Sequence, residues 1–215
     1  MSAPTEPTRI TFVCRAASSG TPGPTRTPGL SRRGRRDAAR LTAHLLELEP
    51  VDVVVASPRP SARQTVAGVA DGADVPLLTD ERFRKRRLSG TAVADRAEAR
   101  DRLWADPTAS NPGGESHREA QKRAVAALER ILDAYPGRHV VVGTHATTLA
   151  LVLNAFDPRY GRAFRDGVAE PDAYQATFVE GDLFGVGRVW ADELATNDAD
   201  SEARADADDE TDADD

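Results

Sequence analysis

His139-Val140-Val141-Val142-Gly143-Thr144-His145-Ala146-Thr147-Thr148-Leu149-Ala150-Leu151-Val152-Leu153 is the stretch that decides the fold. An apolar run ends at Gly143, a histidine follows at once, and apolar residues then recur at helical spacing. That order reads as buried strand, tight turn and helix. In an open α/β sheet, ligands bind beyond the carboxyl end of such a strand, facing the amino terminus of the next helix. His145 is thereby placed in a ligand crevice, and the plainer reading is a histidine that only caps the turn. The rest of the chain has to supply its partners.

Working outward, residues 9–14 (RITFVC) alternate as a strand and open into the Gly/Pro loop of residues 15–24 (RAASSGTPGP). This loop lacks the GK[ST] ending of a phosphate-cradling P-loop, which excludes a nucleoside-triphosphate site of that kind. Ser31 is predicted to cap a helix whose buried stripe is Ala38, Leu41, Leu45 and Leu48, with His44 off the stripe and facing solvent. Residues 51–56 (VDVVVA) make a second buried strand, and the prolines of the following SPRPSARQT suit the first turn of a helix. A short strand at 75–78 precedes the basic run DERFRKRR at 80–87, which is either a solvated face or a set of ligand contacts. Residues 91–111 are polar, alanine-rich and in part helical, the composition of a cover. After the break PGGES at 112–116, Ser116 and Glu119 have the spacing of a capping box that opens a helix through Leu132, with His117 in an exposed first turn. Two closing strands at 176–179 and 185–190 flank the turn Glu180-Gly181-Asp182. Strands alternate with helices throughout, which predicts an α/β domain with a mostly parallel sheet covered on both faces.

At 215 residues and 40% hydrophobic content, the chain can bury one sizeable core. The sequence predicts a disordered N-terminus at 1–8, one domain at 9–191 and an acidic disordered tail at 192–215. That tail carries 12 acids against Arg204 alone, so the net charge of -7 divides into -11 on the tail and +4 on the body. Block charge without large apolar side chains after Leu194 is the composition of a solvated segment. No apolar run approaches membrane-spanning length, and residues 1–8 lack the pattern of a secretory signal, so a cytoplasmic location without membrane association is expected. Cys14 is the lone cysteine, which excludes an intramolecular disulfide and a cysteine-cluster metal site. The arginines are scattered and aromatic residues make up only 5%, so stacking platforms are scarce and no nucleic-acid partner is expected.

Five motifs now stand in order: the strand and loop at 9–16, Leu30-Ser31-Arg32-Arg33-Gly34 before a helix, Ala56-Ser57-Pro58 leading to Gln64-Thr65, Pro112-Gly113-Gly114-Glu115-Ser116, and Val140 to His145. In this order and spacing the chain resembles the histidine phosphatase superfamily, the phosphoglycerate-mutase-like fold, over roughly residues 9–190. The resemblance implies a three-layer α/β/α sandwich with its site at the carboxyl edge of a mostly parallel central sheet. Enzymes of that family transfer a phosphoryl group onto a histidine in an R-H-G motif after the first strand. Arginines clamp the phosphate, and a carboxylic acid protonates the leaving alkoxide. Here the R-H-G positions hold Cys14, Arg15 and Ala16, so an arginine replaces the nucleophile. Ser61 stands at the second clamping arginine and Lys85 at the acid, and His145 alone matches a retained catalytic position. Arginine stays protonated and cannot act as that nucleophile. Cys14 fails the phosphatase pattern of a cysteine followed six residues later by arginine, since that position is Gly20, and it reads as a small buried hydrophobe.

The resemblance therefore implies a catalytically degenerate domain whose cationic pocket binds phosphate or a phosphorylated small molecule. His145 is the surviving catalytic position, and Arg15, Ser61, Lys85, Thr144 and Arg59 are the ligand-binding candidates, with Arg84 or Arg86 nearby. Arg59 or Arg63 can swing into the space Ser61 leaves. Neither a cofactor nor a metal is implied. Two alternatives stand beside this reading: an active phosphomonoesterase using His145, and an interaction scaffold working through the acidic tail.

Overall fold

The computed structural model describes residues 6–20 and 28–190. Within them a six-stranded sheet has the order β3-β2-β4-β1-β5-β6. β1 (Thr8–Cys14), β2 (Val53–Ala56), β3 (Leu77–Thr79) and β4 (His139–Thr144) run parallel. β5 (Asp172–Val179) and β6 (Asp182–Trp190) join antiparallel at one edge. Glu180 and Gly181 take positive φ angles of 52° and 90° in the turn between them, as a tight hairpin with right-handed strand twist requires. The expected N-terminal boundary shifts slightly, since Thr8 already belongs to β1; residues 1–5, the second half of the Gly/Pro loop and the acidic stretch from 192 lie outside the described residues.

Helices cover both faces, which gives the expected three layers. Side chains of a strand alternate between faces, so Ile10 and Phe12 of β1 point one way and Val13 the other. α1 (Arg32–Leu48) and α2 (Pro60–Ala73) bring Leu41, Leu45, Val66 and Val69 against Val13, Val54 and Val141. On the opposite face, α4 (His117–Ala134) and α5 (Ala146–Asn154) bring Ala124, Leu128, Leu149 and Val152 against Ile10, Phe12, Val140 and Val142. Parallel strands buried on both faces read as continuous apolar runs, which is why 139–144 dominates the sequence. α3 (Arg96–Ala105) supplies the helical part of the polar 91–111 segment, and the short α6 (Arg162–Asp166) follows α5. Ser31 and Ser116 cap α1 and α4 as expected, the latter in a complete capping box with Glu119. Among the described residues no helix is long and apolar enough to cross a membrane.

Four local expectations are corrected. Leu48 is 48% exposed, because the last turn of α1 is closed by Leu46, which packs where Gly72 of α2 leaves room for it. His44 is half-buried and not solvent-facing: its Nε2 lies 2.8 Å from the Val189 carbonyl and its ring packs 5.2 Å from Trp190 at the end of β6. His117 is buried instead of exposed. The turn after α3 folds over the start of α4, with Arg118 N–H donating to the Pro107 carbonyl at 2.8 Å, and Trp104 meets the His117 ring edge-on at 4.4 Å. The basic run is no uniform solvated face either, since Phe83 and Arg86 are buried while Lys85 and Arg87 are exposed.

Candidate functional site

The parallel register sets Cys14 beside Thr144 and Ala56 beside Gly143. Three strands therefore end together, and the next residues, Arg15, Ser57 and His145, emerge side by side at the carboxyl edge. Backbone bonds continue the ladder past the strands: Arg15 N–H donates to the Thr144 carbonyl at 3.0 Å, and Ser57 N–H to the Gly143 carbonyl at 2.8 Å. Gly143 has no Cβ because one there would meet Val66 Cγ2 at 2.9 Å and the Ala62 carbonyl at 3.1 Å. The strand end is thus pinned tightly under α2.

His145 is 4% exposed. Its Nε2 lies 2.9 Å from Ser57 Oγ, while Nδ1 is buried without a hydrogen-bond partner. Burial first, then the charges of Lys85, Arg15, Arg59 and Arg123, push the imidazole down to about 3, so it is neutral at pH 7. Lys85 is exposed by surface area, yet surrounding protein desolvates its ammonium, and this together with Arg15 lowers its pKa. Arg15, Arg59 and Lys85 thus form one electrostatic group around His145.

Arg15 is not free. Glu170, just ahead of β5, takes both ends of its guanidinium, with Nη1 and Nη2 each 2.8 Å from a carboxylate oxygen. The chain folds this way because β5 starts opposite the end of β1, with Asp172 in register with Cys14. Cys14 itself is completely buried, and burial and then Glu170 push its thiol up to about 12, so it carries no thiolate.

The remaining candidates lie nearby in different surroundings. Thr144 Oγ1 donates to the Phe83 carbonyl at 3.1 Å, which fastens the segment after β3 over the end of β4. Ser61 is buried in the first turn of α2, where its carbonyl accepts from Thr65 Oγ1 at 2.7 Å and Thr65 in turn accepts from Ala16 N–H at 3.0 Å. Arg59 and Arg63 are both exposed; of the two, Arg59 acts on His145. Glu115 of the PGGES motif sits between Arg123, with Nε at 2.6 Å and Nη2 at 2.9 Å, and Arg84 at 3.0 Å. This network locks the 84–88 segment to α4. His139, at the opposite end of β4, lies 2.8 Å from Thr11 Oγ1 and 3.0 Å from the Pro50 carbonyl.

Two participants escape sequence reasoning. Ser57 lies within a quoted motif but carries no local sign that it would meet a histidine 88 positions later. Glu170 sits in a turn-rich stretch with no periodic pattern, and only the β1–β5 register brings it to Arg15. Among the described residues no cluster of three or more His, Cys, Asp or Glu is arranged to hold a metal.

Comparison with known proteins agrees with this architecture. A sequence profile for the histidine phosphatase superfamily (branch 1) matches residues 16–168. The bifunctional protein Rv2228c of Mycobacterium tuberculosis (strain ATCC 25618 / H37Rv) is 27% identical over 146 residues, 64% of this chain, and the match spans only 40% of that relative's length. The phosphate complex of mycobacterial glucosyl-3-phosphoglycerate phosphatase Rv2419c superposes with a TM-score of 0.66 at 19% identity, covering 78% of this chain and 88% of that one. Phosphoglycerate mutase from Bacillus anthracis str. Sterne gives 0.67 at 14% identity, over 86% of this chain and 93% of that one. At these identities the solved structures establish a shared fold, and with the profile match over most of the chain they make this protein a member of the histidine phosphatase superfamily, branch 1.

Proposed function

We propose that this domain is a catalytically degenerate member of the superfamily, which binds phosphate or the phosphate of a small molecule in the Arg15–His145 cleft without transferring it. The observation that carries this reading is the pair itself: an arginine after β1, beside a histidine whose ring nitrogens are both occupied or shielded. Covalent phosphoryl transfer needs an imidazole nitrogen open to the phosphorus. Nε2 of His145 faces Ser57 and Nδ1 is enclosed. At the acid position Lys85 offers a cation where a leaving alkoxide needs a proton donor of carboxylic type. Arginine and lysine do retain what binding requires, charge-assisted hydrogen bonds to an oxyanion.

Glu170 sharpens the reading. Its carboxylate holds Arg15 in the forked geometry that a phosphate would adopt, so the cleft is built for an oxyanion and an incoming ligand competes with Glu170. That the mycobacterial phosphatase of the same fold was solved with inorganic phosphate supports phosphate as the probe. The same reading keeps the domain in the cytoplasm, in keeping with its single unpaired cysteine.

The test is a titration of the full chain with inorganic phosphate, followed at the His145 ring by NMR. A saturable shift is expected, weakened at least tenfold in Arg15→Gln, about 1.4 kcal/mol. A ring signal that does not move, or equal affinity in the variant, contradicts binding in this cleft.

A further inference from the structure

We propose that the chain carries a second oxyanion site beneath α3, built from Arg86, Arg100, Arg165, Thr147 and His117 and separate from the Arg15–His145 cleft. A cavity of about 190 Å³ is lined by these side chains together with Arg162, Asp101 and Asp166, and none of Arg15, Ser57, Arg59, Lys85 or His145 reaches it. Neighbouring residues serve the two sites: Lys85 acts on His145, whereas Arg86, one residue on, is buried and lines the other cavity. Likewise His145 caps α5 toward one site and Thr147 in its first turn lines the other.

The charges around this cavity do not cancel internally. Asp101 pairs with Arg162 at 2.9 Å, and Asp166 is shared by Arg162 at 3.4 Å and Arg165 at 3.0 Å. Arg165 Nε also reaches Thr147 Oγ1 at 3.4 Å. Arg86 and Arg100 have no carboxylate in ion-pair range among the described residues. Arg86 is only 7% exposed; its Nε is buried without a partner, and its Nη1 reaches no better acceptor than the Glu115 carbonyl at 3.4 Å. His117 is 2% exposed, and its Nδ1 is likewise buried without a partner. Two unpartnered polar groups, both more than nine-tenths buried, thus line one cavity. Leaving such polar groups unsatisfied is costly, and more so for a charged one.

An oxyanion answers both needs at once. It accepts from the guanidinium of Arg86 and from a ring N–H of His117, and it offsets the excess positive charge of Arg86 and Arg100. Burial and then Arg86 push His117 down to about 4, so in the empty site the ring is neutral and can donate from only one nitrogen. The cavity has room for an anion, being roughly six times the ~30 Å³ share of a liquid water molecule. It adjoins a larger cavity of about 420 Å³ that shares Trp104, His117 and Arg162 and adds Leu151 and Pro107. The ligand class is therefore a small organic molecule bearing a phosphate or carboxylate, with its acid group on Arg86 and its body along Trp104.

The chain has four histidines, and His117 and His145 report separately on the two sites. Inorganic phosphate and acetate, titrated into the full chain, are each expected to be read at the His117 ring, and the tighter of the two identifies the acid group preferred. Arg100→Gln, an exposed position that leaves the core intact, is expected to weaken the His117 response at least tenfold while the His145 response stays unchanged. Arg15→Gln is expected to do the reverse. The site is refuted if neither anion moves the His117 signal, or if Arg100→Gln leaves the affinity read there unchanged. A silent His145 with a responding His117 would sink the Arg15 cleft and leave this site standing.

Discussion

At the scale of single residues, Arg15 already holds one forked anion, the Glu170 carboxylate. Arg15 is held by Glu170, so any phosphate binding there works against an ion pair already made. The Glu170 side chain is 45% exposed, and an ion pair of that kind is worth ~0.2–1 kcal/mol. Glu170→Gln should accordingly raise phosphate affinity, read at His145, by roughly threefold. Unchanged or weaker binding would show that Glu170 positions Arg15 for the ligand instead of competing with it.

The buried histidines also set how stability responds to acid. His145 and His117 are held down to about 3 and about 4, and burial lowers His139 as well. In the unfolded chain each returns to ~6.5. Between these values the unfolded state binds more protons, so stability is full above pH ~6.5 and is lost as the pH falls toward the folded-state values. His145 and His117 each cost about 2 kcal/mol by pH 5. Urea midpoints measured from pH 7 to pH 5 should fall steadily, and the double variant His117→Gln/His145→Gln should flatten most of that slope. An unaltered slope would mean that neither ring is buried neutral.

At the scale of elements, close packing of α2 onto the strand ends carries the site. Gly143 lets the Ala62 carbonyl and Val66 of α2 close onto the end of β4, and Gly143→Ala should destabilise the domain by ~1–3 kcal/mol through overpacking, and weaken phosphate binding, because α2 and β2 hold Ser57 against His145. Chemical unfolding of the variant checks this, and wild-type stability would contradict the packing. Elements of this kind are largely legible in the sequence. Strands buried on both faces leave continuous apolar runs at 53–56 and 140–142, and Ser31 and Ser116 announce their helices by local hydrogen bonds that need no tertiary partner. What local pattern cannot show is what lies over an element. His117 occupies an ordinary first turn until Trp104 covers it, and His44 faces outward until β6 arrives. Arg86 is one of several arginines in a charged run, and only the fold of α3, α5 and α6 around it makes it a buried cation.

For the whole molecule, the parallel core sets the site residues side by side and the antiparallel edge brings Glu170 to Arg15. β1, β4 and β2 bring residues 15, 145 and 57 together, positions far apart in the chain that the family resemblance identifies by motif. The resemblance also sets Arg15, Ser61 and Lys85 against the positions of a histidine, an arginine and an acid, and this is the part of the proposal that is read from sequence alone. Glu170 is not legible, since it arrives by β5 pairing antiparallel to β1 over a sequence separation that no motif spans. The outcome is a histidine-phosphatase fold with cations grouped around a buried, neutral histidine and a carboxylate of its own already seated on the arginine. That account is tested most directly by assaying the purified full chain on an aryl phosphate beside His145→Ala. It predicts phosphate release no faster than in buffer for both proteins; turnover in the wild type that disappears in His145→Ala would contradict it.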